Sequence, residues 1–216
     1  MSAAVEIIPA ILAKDEKEFR RKIESVAGLC DTVQIDVMDG RFVDNVTWAE
    51  PRRIDAMRLS IAFEAHLMVL DPLSTLESWS AAGCSRVLLH VEALENPVEA
   101  LAQARLYGME VGLSLNPETP IEPLEEAIAL CDVVQIMGVN PGRMGQPFQP
   151  VALEKVRTLR AKFPDLPIEV DGGVSVGIAR QLAEAGVDRL VSGSAVFHSG
   201  APAKAIEALR RDVELE

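Results

Sequence analysis

The sequence predicts an α/β protein of the (β/α)8 TIM-barrel class, in which helices surround one closed barrel of parallel strands. Two observations predict it. Short apolar runs alternate with amphipathic stretches along all 216 residues, and no linker or low-complexity stretch interrupts them. Eight such units of about 27 residues each fill the chain. We therefore treat residues 1–216 as a single domain, with a doubly wound open sheet as the alternative, since alternation alone does not show closure.

Eight apolar runs rich in Val, Ile and Leu predict buried parallel strands. They span Glu6–Leu12, Thr32–Val37, Ile61–Val69, Arg86–Val91, Glu110–Leu115, Val133–Met137, Ile168–Val170 and Arg189–Val191. The stretches between them have helical periodicity, and several begin with a proline, whose missing N–H costs nothing at a helix start. These predicted helices span Asp15–Ala27, Pro51–Leu59, Pro72–Ala82, Pro97–Tyr107, Pro123–Leu130, Pro150–Phe163, Val176–Ala185 and Ala201–Asp212.

The composition and the net charge disfavour some classes of binding partner. With 21 basic and 33 acidic residues the net charge is −12, which argues against nucleic acid and anionic membrane surfaces. Backbone N–H groups must therefore bind any anionic ligand locally. The segment Met1–Ile8 lacks a basic region followed by a long apolar run, and no apolar stretch is long enough for a membrane span, so we expect a cytoplasmic protein. Apolar residues on the predicted helix faces allow a homo-oligomer.

Polar residues stand where three predicted strands end, and catalytic groups of this fold come from the C-terminal ends of strands. Gln34 and Asp36 share the inward face of the second strand, because side chains alternate with a period of two. His66 lies near the C-terminal end of the third strand, and Asp171 directly follows the seventh. A carboxylate among apolar neighbours gains proton affinity, as a general base requires. For each residue taken alone, a hydrogen-bonded structural role is the alternative.

Glycine-rich turns follow the last two strands, where this fold usually binds phosphate. They are Gly172-Gly173 and Gly193-Ser194, and each alone would be only a tight turn. The long segment 137–148 after the sixth strand is punctuated by glycine and has the character of a mobile lid. No Gly-x-Gly-x-x-Gly follows the first strand, which argues against the open sheet and against a nucleotide cofactor.

Six ordered motifs resemble one known family over nearly the whole chain. They are Val-Gln-Ile-Asp-Val-Met-Asp-Gly at 33–40, Ala-His-Leu-Met-Val at 65–69, Leu-Asn-Pro-Glu-Thr-Pro at 115–120, Val-Asn-Pro-Gly-x-x-Gly-Gln-x-Phe at 139–148, Val-Asp-Gly-Gly-Val at 170–174 and Ser-Gly-Ser-Ala-Val-Phe at 192–197. Together they resemble the ribulose-phosphate 3-epimerases. These isomerases interconvert ribulose 5-phosphate and xylulose 5-phosphate: a divalent metal polarises the C2 carbonyl, and two aspartates exchange the C3 proton on opposite faces.

The resemblance implies roles for individual residues of this chain. Asp36 and Asp171 would be the acid/base pair, and together with His66 they would also bind the metal. The substrate would contact His66, and its phosphate would bind at the glycine-rich turns. The implied phosphate ligands are Gly142, Gly145, Gly172, Gly173, Gly193 and Ser194, and the implied apolar shelf beside the enediolate is Met38, Met68 and Met137.

The chain departs from the family pattern at the site. Gln34 replaces the first metal-binding histidine, and its carbonyl oxygen is a weak neutral ligand that zinc disfavours. Ala10 replaces a first-strand serine, and Arg143-Met144 replaces Phe-Gly in the lid. Neither His90 nor His198 obviously supplies the lost imidazole. The ligand set suits Mn²⁺ or Mg²⁺ better than Zn²⁺, with Fe²⁺ and the absence of any ion as further alternatives.

Two functions follow as expectations. The first is an epimerase that inverts C3 of ribulose 5-phosphate or a close ketose phosphate, with a divalent metal and two-aspartate proton transfer. The second is a sugar-phosphate-binding pseudoenzyme with an incomplete metal site. A decarboxylase or an aldolase on the same scaffold is disfavoured, because no Asp-x-Lys-x-x-Asp motif occurs and no lysine falls on a predicted strand.

Overall fold

The computed structural model describes residues 4–214, and within them eight parallel strands close into one barrel in sequence order. The strands are β1 (Glu6–Ile11), β2 (Thr32–Met38), β3 (Ala62–Met68), β4 (Arg86–His90), β5 (Glu110–Leu115), β6 (Val133–Met137), β7 (Ile168–Asp171) and β8 (Arg189–Ser192). Closure is shown by β1 and β8, which pair with Ile8 opposite Val191. The (β/α)8 prediction is confirmed and the open sheet is wrong. Residues 1–3 and 215–216 of the predicted domain lie outside the described residues.

Helices connect the strands where the sequence predicts them. They are α1 (Glu16–Val26), α2 (Pro51–Met57), α3 (Leu76–Ala81), α4 (Pro97–Arg105), α5 (Glu125–Ile128), α6 (Val151–Lys162), α7 (Ile178–Ala185), α8 (Ser194–Phe197) and α9 (Pro202–Val213). The sequence does not predict the short helix α8 as a separate element. Its residues have the same sequence pattern as a turn that leads into the last helix. Over the described part of the chain, none of the helices has the length and apolar character needed to cross a bilayer.

Local side-chain chemistry sets several of these helix ends. Asp15 begins α1 by accepting a hydrogen bond from the Glu18 N–H at 2.8 Å, and Asn96 begins α4 in the same way. The helix α2 ends two residues earlier than predicted, because Arg58 adopts a left-handed conformation with φ of 50°. The helix α7 ends at Gly186, whose φ of 99° suits glycine.

Two layers of side chains pack on opposite faces of the barrel wall. Outward residues such as Val33 and Ile35 pack with Phe19 and Trp79 into the main apolar core beneath the helices. Inside the barrel, Ile8, Ala10 and Val191 form a small apolar cluster. The other buried side chains of the strands include a polar set, which consists of Gln34, Asp36, Glu64, His66, Arg86, His90, Ser114, Gln135, Glu169 and Asp171. The predicted parity of Gln34 and Asp36 is confirmed, and the barrel interior is largely polar.

Ion pairs close the end of the barrel opposite the predicted site. The Arg86 guanidinium lies 2.6 Å from a Glu64 oxygen, 3.0 Å from Glu110 and 3.7 Å from Glu169. Burial raises the pKa of both Glu64 and Glu169, and their mutual repulsion adds to the shift for Glu64. Removing the arginine would leave the buried Glu64 and Glu169 carboxyl groups without their ion-pair partner, which is strongly unfavourable. Arg86 therefore stabilises the interior on which the site is built.

A glycine in β5 provides a test of this packing. A Cβ atom on Gly112 would lie 2.6 Å from Val133 Cγ1 and 2.7 Å from Leu88 Cδ2. We therefore expect Gly112→Ala to lower the free energy of unfolding by about 1–3 kcal/mol, measured by urea denaturation. In a Val133→Ala background the same change should cost less, because one of the clashing methyl groups is gone. Equal costs in both backgrounds would contradict this account.

Candidate active site

The predicted site residues converge on one cavity at the C-terminal end of the barrel. Its volume is about 50 Å³, and its lining includes Asp36, Asp171, Met38, Met68, Met137, Gly142, Gly145, Gly172, Gly173, Gly193 and Ser194. His66 and Gln34 are fully buried and hydrogen-bond with the two aspartates of that lining. Strand parity explains the convergence, because Asp36, His66 and Asp171 all sit near the ends of strands on their inward faces.

The floor of the cavity is an imidazole between two carboxylates. His66 Nδ1 lies 3.1 Å from Asp171 Oδ2 and 3.4 Å from Asp36 Oδ1. One ligand atom from each of the three residues lies within 4.8 Å of the others. Two carboxylate oxygens and one imidazole nitrogen are suitable ligands for a divalent cation. The three residues therefore form a candidate metal cluster.

The fourth vertex of this cluster is the Gln34 side chain. Its Nε2 donates to Asp36 Oδ1 at 2.9 Å and to Asp171 Oδ2 at 2.8 Å, and lies 3.3 Å from His66 Nδ1. This differs from the expectation that Gln34 offers its carbonyl oxygen to a metal. Ionised carboxylates only accept hydrogen bonds, so the amide turns its two N–H donors toward them. In this arrangement Gln34 bridges the aspartates as a donor.

A second glutamine, which sequence reasoning missed, holds Gln34 in this orientation. Gln135 Nε2 donates to Gln34 Oε1 at 2.7 Å and to Glu169 Oε1 at 2.8 Å. Because β2 and β6 are not neighbours, the contact between the glutamines crosses the barrel interior. Strand periodicity could have identified Gln135 and Glu169 as inward residues. Each stands two residues before another inward residue, Met137 and Asp171 respectively.

Burial and hydrogen bonding set the proton affinities at the cavity floor. Burial raises the pKa of Asp36 against the opposing effect of its hydrogen bond with His66. Burial also disfavours a charge on His66, but the hydrogen bonds and charges of Asp171 and Asp36 outweigh it and raise the pKa of His66 to about 10. Without a cation, His66 is therefore an imidazolium at neutral pH. The raised proton affinity of Asp36 agrees with the prediction from sequence.

His90 lies against His66, although the sequence suggested no role for it. The two Nε2 atoms are 2.8 Å apart, and the rings stack with an interplanar angle of 21°. His90 Nδ1 lies 3.1 Å from Glu92 Oε2. Burial lowers the pKa of His90 to about 4, so its ring is neutral. His198 follows α8 at an exposed position and does not line the cavity.

The predicted lid covers the cavity through contacts with three other loops. Asn45 Nδ2 donates to Gly142 O at 2.9 Å, which joins the lid to the loop after β2. Phe148 packs against Gly173, where a Cβ atom would lie 2.8 Å from Phe148 Cα. Met144 packs against Gly193, where a Cβ atom would lie 2.5 Å from Met144 Cε. Glycine at 173 and 193 thus lets the lid approach the two turns closely, and Met144 covers part of the predicted phosphate position.

The bridging amide leads to a prediction about metal affinity. We expect Gln34→His to strengthen zinc binding by at least tenfold, measured by isothermal titration, because an imidazole replaces an amide that presents donors. Gln34→Leu removes the donors without adding a ligand, so it controls for loss of the bridge alone. Unchanged zinc affinity in Gln34→His would show that residue 34 does not reach the metal position.

Comparison with known proteins agrees with this geometry. The sequence profile of the Ribulose-phosphate 3 epimerase family matches residues 6–197. The ribulose-phosphate 3-epimerase of Schizosaccharomyces pombe is 39% identical over 96% of this chain and 93% of its own length. The cytoplasmic isoform of ribulose-phosphate 3-epimerase from Oryza sativa subsp. japonica is 37% identical over 99% of this chain and 96% of its own length.

Solved structures share the fold at lower identity. A 3-hexulose-6-phosphate synthase superposes with a TM-score of 0.76 at 20% identity, covering 96% of this chain and 99% of its own. The KGPDC of Streptococcus mutans superposes with a TM-score of 0.77 at 14% identity, covering 98% of each chain. The profile match and the close relatives extend over nearly the whole chain. The chain belongs to the ribulose-phosphate 3-epimerase family.

Proposed function

We propose that this chain is a cytoplasmic epimerase that inverts C3 of ribulose 5-phosphate or a close ketose phosphate, with residues 1–216 acting as one domain. The observation that carries the proposal is the convergence of Asp36 and Asp171 on one cavity floor, with ligand atoms within 4.8 Å of each other. Inversion at C3 requires a proton to leave one face and another to arrive on the opposite face, so two acid/base groups must address one carbon. Family membership supports the same reaction.

The two aspartates begin each turnover in opposite protonation states. One is a carboxylate that takes the C3 proton, and the other is a carboxylic acid that returns a proton to the opposite face, so the net proton count does not change. The raised pKa of Asp36 supports this role, because burial favours its protonated form. The reverse reaction exchanges the two roles. His66 and Gln34 hold the pair in place through N–H donors to both carboxylates.

A divalent cation fits three of the residues at the floor. Asp36, His66 and Asp171 would hold it, and it would polarise the C2 carbonyl and stabilise the enediolate. Gln34 would be its fourth ligand only with the amide reversed, which would break the hydrogen bond from Gln135. The chain is therefore less suited to zinc than a site with a second imidazole, and Mn²⁺, Mg²⁺ or Fe²⁺ is the better match to the oxygen-rich set.

The remaining cavity walls suit a sugar phosphate. Met38, Met68 and Met137 are buried at the cavity wall and would shield the enediolate from water. The phosphate would bind to backbone N–H groups at Gly172, Gly173, Gly193 and Ser194, completed by Gly142 and Gly145 of the lid. Backbone donors suit a protein with a net charge of −12, in which the overall field repels an anion.

A second candidate function is a sugar-phosphate-binding pseudoenzyme. The amide of Gln34 favours it, because both aspartates are already hydrogen-bonded without a cation. A protein of this kind would bind ribulose 5-phosphate without exchanging its C3 proton. Deuterium incorporation at C3 in D₂O therefore separates the two functions.

We predict that Asp36→Asn and Asp171→Asn each lower C3 exchange of ribulose 5-phosphate by roughly 10²–10⁴-fold while substrate binding is largely retained, because each removes one acid/base group. Deuterium at C3 is measured by NMR with Zn²⁺, Mn²⁺ and Mg²⁺ each supplied. Asp55→Asn, a carboxylate on the surface helix α2, is the matched control. No exchange in the unmutated protein, with ribulose 5-phosphate or its six-carbon analogue, would leave only the pseudoenzyme.

The lid gives a prediction about phosphate affinity. Because the Met144 methyl group packs on Gly193, a bound phosphate has to displace it. We expect Met144→Ala to tighten binding of inorganic phosphate about fivefold, equivalent to about 1 kcal/mol, since less apolar surface is then exposed on displacement. Met144→Leu keeps the bulk and is the control. If Met144→Ala leaves phosphate affinity unchanged, the anion binds away from Gly193-Ser194.

A further inference from the structure

A line of hydrogen-bonded side chains leads away from the cavity floor through β4. His66 Nε2 lies 2.8 Å from His90 Nε2, and His90 Nδ1 lies 3.1 Å from Glu92 Oε2. Both histidine side chains are fully buried, and Glu92 follows β4 directly in a short 3₁₀ turn. Neither His90 nor Glu92 lines the cavity. They therefore influence His66 through its Nε2 atom, on the side of the ring away from the two aspartates.

The Glu92 carboxylate fixes the direction of its hydrogen bond with His90, and for a neutral His90 ring this also fixes the direction of the bond with His66. A carboxylate only accepts, so the proton between Glu92 and His90 is on His90 Nδ1. A neutral imidazole carries one N–H, so His90 Nε2 has a lone pair. His66 Nε2 must then carry the proton that bridges the two rings. The nitrogen of His66 that remains to face Asp36 and Asp171 is Nδ1, as the distances of 3.4 Å and 3.1 Å show.

Glu92 is itself held on its other oxygen. Glu92 Oε1 accepts from the Asn116 backbone N–H at 2.9 Å and from the Thr119 hydroxyl. The loop that supplies both donors is clamped from the opposite side, because Lys155 Nζ donates to Asn116 O at 2.7 Å and to Thr119 O. The carboxylate therefore has little freedom to turn its oxygens away from His90. The Glu92 carboxylate thus accepts three hydrogen bonds, and the line of hydrogen-bonded side chains ends at this residue.

This direction matters for what His66 can do. A neutral imidazole can coordinate a cation only through its unprotonated nitrogen, and its other N–H usually donates to a partner that fixes the tautomer. In a neutral His66 ring, a proton on Nδ1 instead of Nε2 would prevent Nδ1 from coordinating a cation beside Asp36 and Asp171. If the ring turned over, a carbon would face the carboxylates.

We propose that His90 and Glu92 are positioning residues, which fix the ring orientation of His66 and keep its Nε2 protonated so that Nδ1 serves the two aspartates and a divalent cation. The proposal deepens the proposed function and rests on it for its catalytic meaning. The proton positions and the metal affinity can both be measured in a protein that does not turn over substrate. The two can therefore fail separately.

The first test reads the proton positions directly. In metal-free, ¹⁵N-histidine-labelled protein, NMR should show His90 protonated at Nδ1 and unprotonated at Nε2. A scalar coupling should connect the two Nε2 atoms, with the shared proton on His66. A proton on His90 Nε2 would overturn the proposal whether or not the protein turns over substrate.

The second test uses Glu92→Gln, which keeps the volume but allows residue 92 to donate as well as accept. We expect Mn²⁺ affinity, measured by titration with Mn²⁺ alone, to fall about 10–100-fold, the usual effect of losing such a partner. Glu118→Gln removes an exposed charge from the neighbouring loop and is the matched control. Equal Mn²⁺ affinities for Glu92→Gln, Glu118→Gln and the unmutated protein would overturn the proposal. Epimerisation absent from the unmutated protein, with the NMR pattern intact, would instead count against the proposed function alone.

Discussion

The double hydrogen bond from Gln34 to Asp36 and Asp171 is the interaction on which the site depends. Two buried carboxylates this close repel each other, and hydrogen-bond donors placed between them offset that repulsion. The Gln34 amide and the His66 ring supply those donors at 2.8–3.4 Å. Because the donors come from β2 and β3 and the acceptors from β2 and β7, the arrangement exists only when the barrel is closed.

The orientation of the Gln34 amide also determines which hydrogen bonds a cation has to replace when it enters the site. The amide oxygen of Gln34 accepts from Gln135, and Gln135 also donates to Glu169. Turning the Gln34 amide would place two N–H groups against each other, unless Gln135 turns as well and presents its oxygen to a carboxylate. A cation must therefore compete with existing hydrogen bonds rather than enter a ready set of four ligands. An imidazole at position 34 could bind the ion without this reorganisation.

Sequence patterns predict the architecture and most of the cavity, and the reasons are local. A period of two puts Asp36 and Asp171 on inward faces, and the glycines at 172 and 173 mark a turn that the lid approaches. The orientation of the Gln34 amide is different, because neighbours on β3, β6 and β7 decide it together. No window of sequence contains all three strands. The pairing of His90 with Glu92 also lies behind the cavity, outside the six motifs that carry the resemblance.

The departures from the family pattern at positions 10 and 144 are neighbours in space. A Cβ atom on Gly193 would lie 2.5 Å from Met144 Cε and 3.5 Å from Ala10 Cβ, so the lid and the first strand meet at this turn. A serine at position 10 would add a hydroxyl group to this corner, and a glycine at position 144 would leave the Gly193 turn open. Alanine and methionine instead make an apolar corner that continues the cluster of Ile8, Ala10 and Val191. Because an apolar group covers the turn, a phosphate bound there, as the proposed function has it, would have to displace Met144. In the proposed function, the substitutions at positions 10 and 144 would therefore act together on phosphate binding, whereas Gln34 would act on the acid/base pair and the cation.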